Sequence, residues 1–291
     1  MRPVESANGV VMARVAIVKG TNPTDMTVQA LEMVEAYESV SEEKPVLIKP
    51  NYINASHPST GITTDSRVIE GVAKFLKQHG LKEIIIGEGS GFADTLKAFR
   101  VAGVDALAKR LNVKLVDLNR DDLLEVNPPS PLAMKVRIAK TALESTIISV
   151  PKLKPHRMAG VTLSIKNMMG AVTPKGSMHF NLSRNIAELA SIIKPRIAVI
   201  DGIVACEGHE TSGNPVEMNL VIAGKDPVAV DAVGSAVIGI PPTEVKHLCL
   251  AEERGLGTCD LNQIEVVGEP TEEVKKKFKR SILSSLLTHL G

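Results

Sequence analysis

The stretch from Ser145 to Ala187 contains no Asp or Glu, yet it carries Lys152, Lys154, Arg157, Lys166, Lys175 and Arg184 together with His156 and His179. In a chain whose net charge is only +1, such segregation makes a local positive field that suits a phosphate, a carboxylate or an anionic cofactor. Crowded cations also depress a lysine's pKa and make its amine a better nucleophile or covalent anchor. The expected chemistry is anion binding by Lys152, Lys154 and Lys166, with His156 moving a proton beside a carboxylate in an isomerase- or lyase-type step. Asn167, next to Lys166, and Lys175 extend the binding set. The same cations could instead form a stripe that pairs with acids from elsewhere in the fold.

Two further segments are unusual for ordinary loops. Lys49-Pro50-Asn51 leaves an apolar run and leads through His57, Thr60, Gly61 and Thr63 to Thr64 and Asp65. A lysine followed by hydroxyls and a helix start makes an anion cradle, although Thr64 and Asp65 also fit plain helix capping. Gly87-Glu88-Gly89-Ser90-Gly91 alternates glycines, which lets backbone N–H groups approach a ligand closely. It is not a dinucleotide fingerprint, because the pattern fails at Phe92, and residues 170–177 hold their Lys and Gly in the wrong order for a phosphate loop. A tight turn near a ligand and a purely structural turn both satisfy it. Opposite in charge, Asp201-Gly202 and Glu207-Gly208-His209-Glu210 read as a strand-ending acid and a glycine-rich acidic loop. Asp201 and Glu207 are candidate ligands for a divalent cation, magnesium or manganese by their hard oxygens, or counter-charges for the basic segment. Asp226 and Asp231 read as a helix cap and a first-turn acid.

The elements that must position these residues follow from periodicity. Ala13–Lys19, residues 45–49, 83–86, 113–117, 134–138, Thr146–Val150, 197–200, 220–222 and 264–267 are short β-branched or apolar runs and predict strands. Apolar residues at helical spacing predict helices over 27–37, from Asp65 to a stop at Gly80, over 94–110 with a break at Gly103, over 226–238 and over 245–254. Strands alternating with helices of this length predict an α/β fold: a mostly parallel, Rossmann-like layered sheet with helices on both faces. Ligands then gather beyond the carboxyl ends of the strands, where Lys49, Gly87–Gly91 and Lys152–His156 fall. The organisation expected is one α/β domain over residues 1–270, with a subdivision into a smaller subdomain marked by the proline-rich 127–131, and a basic amphipathic C-terminal helix over 271–291.

Composition narrows the function classes. Near-neutral charge and 2% aromatic residues, with no Trp, argue against nucleic-acid binding by phosphate neutralisation or base stacking. The cysteines Cys206, Cys249 and Cys259 form no CxxC pair, so no intrinsic iron–sulfur cluster is expected. No apolar run approaches a bilayer span, and residues 1–10 lack a signal-peptide apolar region, so a cytoplasmic location is expected.

Seven motifs in order, KPN (49–51), IGEGSG (86–91), VPKLKPH (150–156), TLSIKNMMG (162–170), MHFN (178–181), DGIVACEG (201–208) and AGKDPVAVDAVG (223–234), resemble the domain of unknown function 362 family. Some members of that family carry a fused ferredoxin-like module. This chain lacks its cysteines, so the resemblance implies, for any redox role, a separate ferredoxin-like partner docked through the basic tail. More distantly, His156 ten residues before Lys166 is similar to the nickel-pincer lactate racemase superfamily. That likeness implies Lys166 as a cofactor anchor, His156 as an acid/base and His179 as a metal ligand, with nickel as the metal. The second catalytic histidine of that superfamily has no counterpart here, Ser90 standing in its region.

Overall fold

The computed structural model describes residues 12–126 and 136–281. The strands are β1 (Ala13–Lys19), β2 (Val46–Pro50), β3 (Ile84–Glu88), β4 (Lys114–Asp117), β5 (Leu123–Val126), β6 (Val136–Ala139), β7 (Thr146–Val150), β8 (Lys154–His156), β9 (Gly160–Thr162), β10 (Val172–Thr173), β11 (Ile197–Glu207), β12 (Asn214–Gly224) and β13 (Ile264–Gly268). The helices are α1 (Pro23–Met33), α2 (Ser66–Gln78), α3 (Thr95–Val101), α4 (Val104–Leu111), α5 (Lys140–Glu144), α6 (Ser164–Asn167), α7 (Leu182–Ile192), α8 (Pro227–Val237), α9 (Lys246–Glu253) and α10 (Thr271–Val274).

The main sheet has eight strands in the order β13-β1-β12-β11-β7-β2-β3-β4. Only β12 runs against the others, pairing antiparallel with β1 and β11, while the remaining neighbours are parallel. Both faces are buried, and the two-residue period of a strand assigns them. Val15, Ile17, Leu47, Ile147, Ala198 and Ile200 share a core with α7, α8 and α9. Their alternates, Ala16, Val18, Val46, Ile48, Ile148 and Val199, join a second core under α1 to α4. The expected layered α/β architecture is therefore present, and no described helix is long and apolar enough to cross a membrane.

Local chemistry sets the element boundaries. Asp65 caps α2 by accepting from the Arg67 amide (2.9 Å), and Asp94 caps α3 through Lys97. Gly103, at φ +74°, breaks 94–110 into α3 and α4 where the sequence places the break. Three expectations need correction. The strand starting at Ile197 does not end at Asp201; it runs on to Glu207 and forms a long antiparallel pair with β12. Asp231 is not a first-turn acid: wholly buried within α8, it accepts from the Ser164 and Ile165 amides (2.7 and 3.0 Å) and so caps α6, which has no cap of its own. The tail is not helical across its described part. After the single turn of α10, Lys276 and Phe278 donate backbone bonds to Val237 and Ile238, and Gly208 donates to Lys279. Val274 and Phe278 are buried, so this segment is an extended strap whose four-residue spacing mimics a helix face. Residues 282–291, and the proline-rich 127–131, lie outside the described residues. Beside the latter, β5, β6 and β10 make a small three-stranded antiparallel sheet.

Candidate functional site

Beyond the carboxyl ends of β2, β3 and β7 lies a cavity of about 250 Å³. Its floor is a polar network built where these strands end. Lys49, fully buried at the end of β2, pairs with Glu88 of β3 at 2.7 Å. The Glu88 carboxylate also accepts from the Gly89 and Tyr52 amides (2.7 and 3.0 Å), which hold it in place. Asn167 accepts from Lys49 (3.3 Å) and Asn51 (3.2 Å) and donates to the Lys49 carbonyl and Ser149. Burial lowers the Lys49 pKa, and Glu88 opposes the shift. The glycine turn and Gly170 pack closely on this network. A Cβ on Gly170 would come within 2.1 Å of Glu88 Oε1 and 2.6 Å of Lys49 Nζ, and one on Gly89 within 2.3 Å of the Gly170 carbonyl.

A second buried ion pair lies beside it. Lys152 Nζ meets Asp201 Oδ2 at 2.6 Å with both side chains fully buried. Asp201 also accepts from the Asp65 amide (2.6 Å) and from Ile203 (3.0 Å), whose residue sits at a register shift in β11. Burial raises the Asp201 pKa, and Lys152 opposes this.

The cavity wall carries a different kind of cation. Lys154, fully buried in β8, donates to the Ile62 carbonyl at 2.7 Å and has no carboxylate within ion-pair distance among the described residues. Lys166 is half-buried in α6, and its ammonium has no hydrogen bond or ion pair among them. Burial pushes Lys154 down to about 7 and Lys166 down to about 8. His156 Nδ1 accepts from the Met158 and Ala159 amides, both at 3.1 Å, so the ring proton resides on Nε2. Nε2 lies 3.6 Å from Glu210 Oε1, and Glu210 also meets Arg157 Nε at 3.3 Å. Burial, then Lys166 and Lys154, push the His156 pKa down and hold the ring neutral. This tautomer offers a hydrogen-bond donor rather than a base. Three lining residues keep a buried polar atom with no partner in the described protein: Asn51 Oδ1, Tyr52 OH and Thr162 Oγ1. Buried polar atoms are normally satisfied, so unsatisfied ones around a cavity are places for ligand or water contacts.

Of the residues singled out from sequence, Asn51, Glu88, Gly89, Lys154, His156, Lys166, Asn167, Lys175 and His179 line this cavity. Lys175 also bonds Asn119. Lys49 and Lys152 are held behind it in their ion pairs. Thr63 bonds the Ser56 carbonyl, Gly87 packs on Leu47, and Ser90 is buried outside the lining. The three nominated metal ligands do not converge: His179 is exposed at the cavity, Asp201 is consumed by Lys152, and Glu207 accepts from the Lys279 amide of the strap (3.1 Å). Among the described residues no three His, Cys, Asp or Glu side chains are arranged to hold a metal. Sequence reasoning missed Tyr52, Thr162 and Glu210 as lining residues. Glu210 stood in the acidic loop already noted, but Gly208 turns the chain at φ +86°, so strand alternation could not choose it over Glu207.

Fold and cavity together define a doubly covered, open α/β protein with a cationic cleft beyond its strand ends. The family model described as a domain of unknown function, DUF362, matches residues 46–236. The chain belongs to that family. It is also similar to the thylakoid-associated protein sll1697 of Synechocystis sp., 25% identical over 245 residues that cover 80% of this chain and 75% of that protein. The cavity's lining residues fall within the family match, and the C-terminal strap falls outside it.

Proposed function

We propose that this protein is an enzyme that binds a small anionic substrate and removes a proton beside its carboxylate, in an isomerase- or lyase-type reaction. The observation that carries the reading is the presence of two lysines on the cavity wall, Lys154 and Lys166, neither of which makes an ion pair among the described residues, while Glu210 of the same wall is engaged by Arg157 and His156. Uncompensated buried ammonium groups are costly, and an anionic ligand supplies the missing counter-charge. With a pKa of about 8, the Lys166 amine is partly neutral near neutral pH and can accept the proton. The electron pair of the broken C–H bond passes to the carboxylate as an enediolate. Lys154, which the bound anion's charge holds protonated, and the His156 Nε2–H stabilise that developing charge. His156 thus serves as a donor to the substrate, and the base is the lysine.

Exchange of the substrate's α-proton in deuterated water, followed by NMR over a panel of small 2-hydroxy and 2-oxo carboxylates, tests the reading. Wild type exchanges the proton, Lys166→Met does not, and His156→Gln does so more slowly. Carboxylates that raise the melting temperature yet never exchange would leave a binding protein and remove the catalytic claim.

A covalently held cofactor on Lys166 is a second reading, favoured by the meeting of Lys166, His156 and His179 on one cavity. Intact mass and nickel content of protein purified without oxygen decide it. The non-catalytic alternative, docking of a separate iron–sulfur carrier, rests on the exposed Lys275, Lys276 and Lys277 of the strap. Ferredoxin co-purification that is lost in Lys276→Glu/Lys277→Glu would favour it. The reading places the protein in the cytoplasm. Because its relative is named for thylakoid association, recovery in a washed membrane fraction is the outcome that would overturn that placement.

A further inference from the structure

The cavity lining is of two chemical kinds, and only one is accounted for by an anion. Beside Lys154, His156 and Lys166, the lining includes Ile53, Met169, Phe92 and Met158. Phe92 is 77% exposed and Met158 45% exposed, so these two lining residues stand at the opening. The chain has five Phe. Phe75, Phe99 and Phe278 are buried, whereas the two exposed ones are Phe92 and Phe180, the latter next in sequence to the lining residue His179. A single exposed apolar side chain needs no explanation. Apolar side chains from separate loops around one concave, cationic opening are the pattern of a site whose ligand covers them.

Resting on the anion-binding reading above, we infer that the ligand is an amphiphilic anion: a carboxylate or phosphate head against Lys154 and Lys166, with an unbranched apolar extension leaving past Met169 between Phe92 and Met158. The enclosed volume of about 250 Å³ suits one small molecule rather than a protein segment.

The test is a calorimetric titration of full-length protein with two homologous series below their micelle concentrations. One runs from acetate to octanoate, the other from inorganic phosphate to octyl phosphate, and octanol serves as an uncharged control. Each buried methylene is expected to raise affinity up to about fourfold until the chain emerges from the opening. Phe92→Ser/Met158→Ser flattens that rise and leaves acetate and phosphate binding unchanged. Lys166→Met lowers the whole series by a common factor. If short anions bind but affinity is independent of chain length, the amphiphile inference fails while the anion reading stands. If octanol binds as well as octanoate, the anion reading itself fails. Co-sedimentation with phosphatidylglycerol vesicles without binding of monomeric octyl phosphate would assign the rim to a membrane surface and overturn the inference.

Discussion

Lys49 and Lys152 differ from Lys154 and Lys166 in one respect that decides their roles: where the nearest acid lies. The first two are wholly buried against Glu88 and Asp201, each of which also accepts from backbone amides. The second two face the cavity and make no ion pair among the described residues, the nearby Glu210 being engaged by Arg157 and His156. Lys152 and Lys154 are only two residues apart, so the distinction is made by the opposing chain. Asp201 within β11 bridges to Lys152, while Lys154 finds only the Ile62 carbonyl. A paired buried lysine is a fastening between strand ends; an unpaired one is, in the proposed function, the partner of a ligand's charge.

The strongest way to break that comparison is to unpair a paired lysine. Asp201→Ala strands the Lys152 ammonium in a buried site and is expected to cost about 3–5 kcal/mol, read as a fall in the urea midpoint with an unchanged slope. Lys152→Met/Asp201→Leu should recover the part of that loss due to the stranded charge, while the Asp65 and Ile203 amides stay without their acceptor. A cost for Asp201→Ala no larger than that of a surface substitution would put Lys152 in the same class as Lys166. A somewhat smaller effect is expected from the floor of the site. Gly170→Ala drives a methyl into the Lys49–Glu88 pair. It should cost about 1–3 kcal/mol and weaken binding of short anions in the same titrations. Normal stability and normal binding would show that this packing is not what sets the cavity floor.

Much of the fold was legible because it is written in local patterns. Strand runs with two-residue alternation, Asp65, Asp94 and Asp226 as caps, and Gly103 as a break all act within a few residues of themselves. The acid-free stretch likewise located the cavity wall, with Lys154, His156 and Lys166 upon it. Partnership was not legible. Lys152 and Lys166 look alike until Asp201 is placed opposite one of them. Asp231 reads as a helix acid until Ser164 is placed against it. The strap misled for a related reason, because its backbone bonds run to Val237, Ile238 and Gly208, distant partners that no local pattern reveals. The His156 tautomer was equally out of reach, since it depends on two amides supplied by a turn.

The most delicate prediction sharpens the comparison through pH. An unfolded lysine titrates near 10.5, whereas Lys166 in the folded protein titrates at about 8. Between those values the unfolded chain holds a proton that the folded one does not. This residue therefore makes stability rise with pH across that window, by at most about 1.4 kcal/mol per unit, and contributes no slope below it. Lys166→Met removes the titration and relieves the burial of an unpaired ammonium, so it should not lower stability at neutral pH. The quantity to follow is the difference in urea-derived stability between wild type and Lys166→Met, with other titrating groups cancelling. It should shift in favour of wild type as pH rises through the window. Lys152→Met/Asp201→Leu has no such lysine removed from the cavity wall and should retain the wild-type rise. A wild-type minus Lys166→Met difference that stays constant with pH would mean the Lys166 amine titrates as an ordinary exposed lysine, and the base in the proposed reaction would have to be sought elsewhere on the wall.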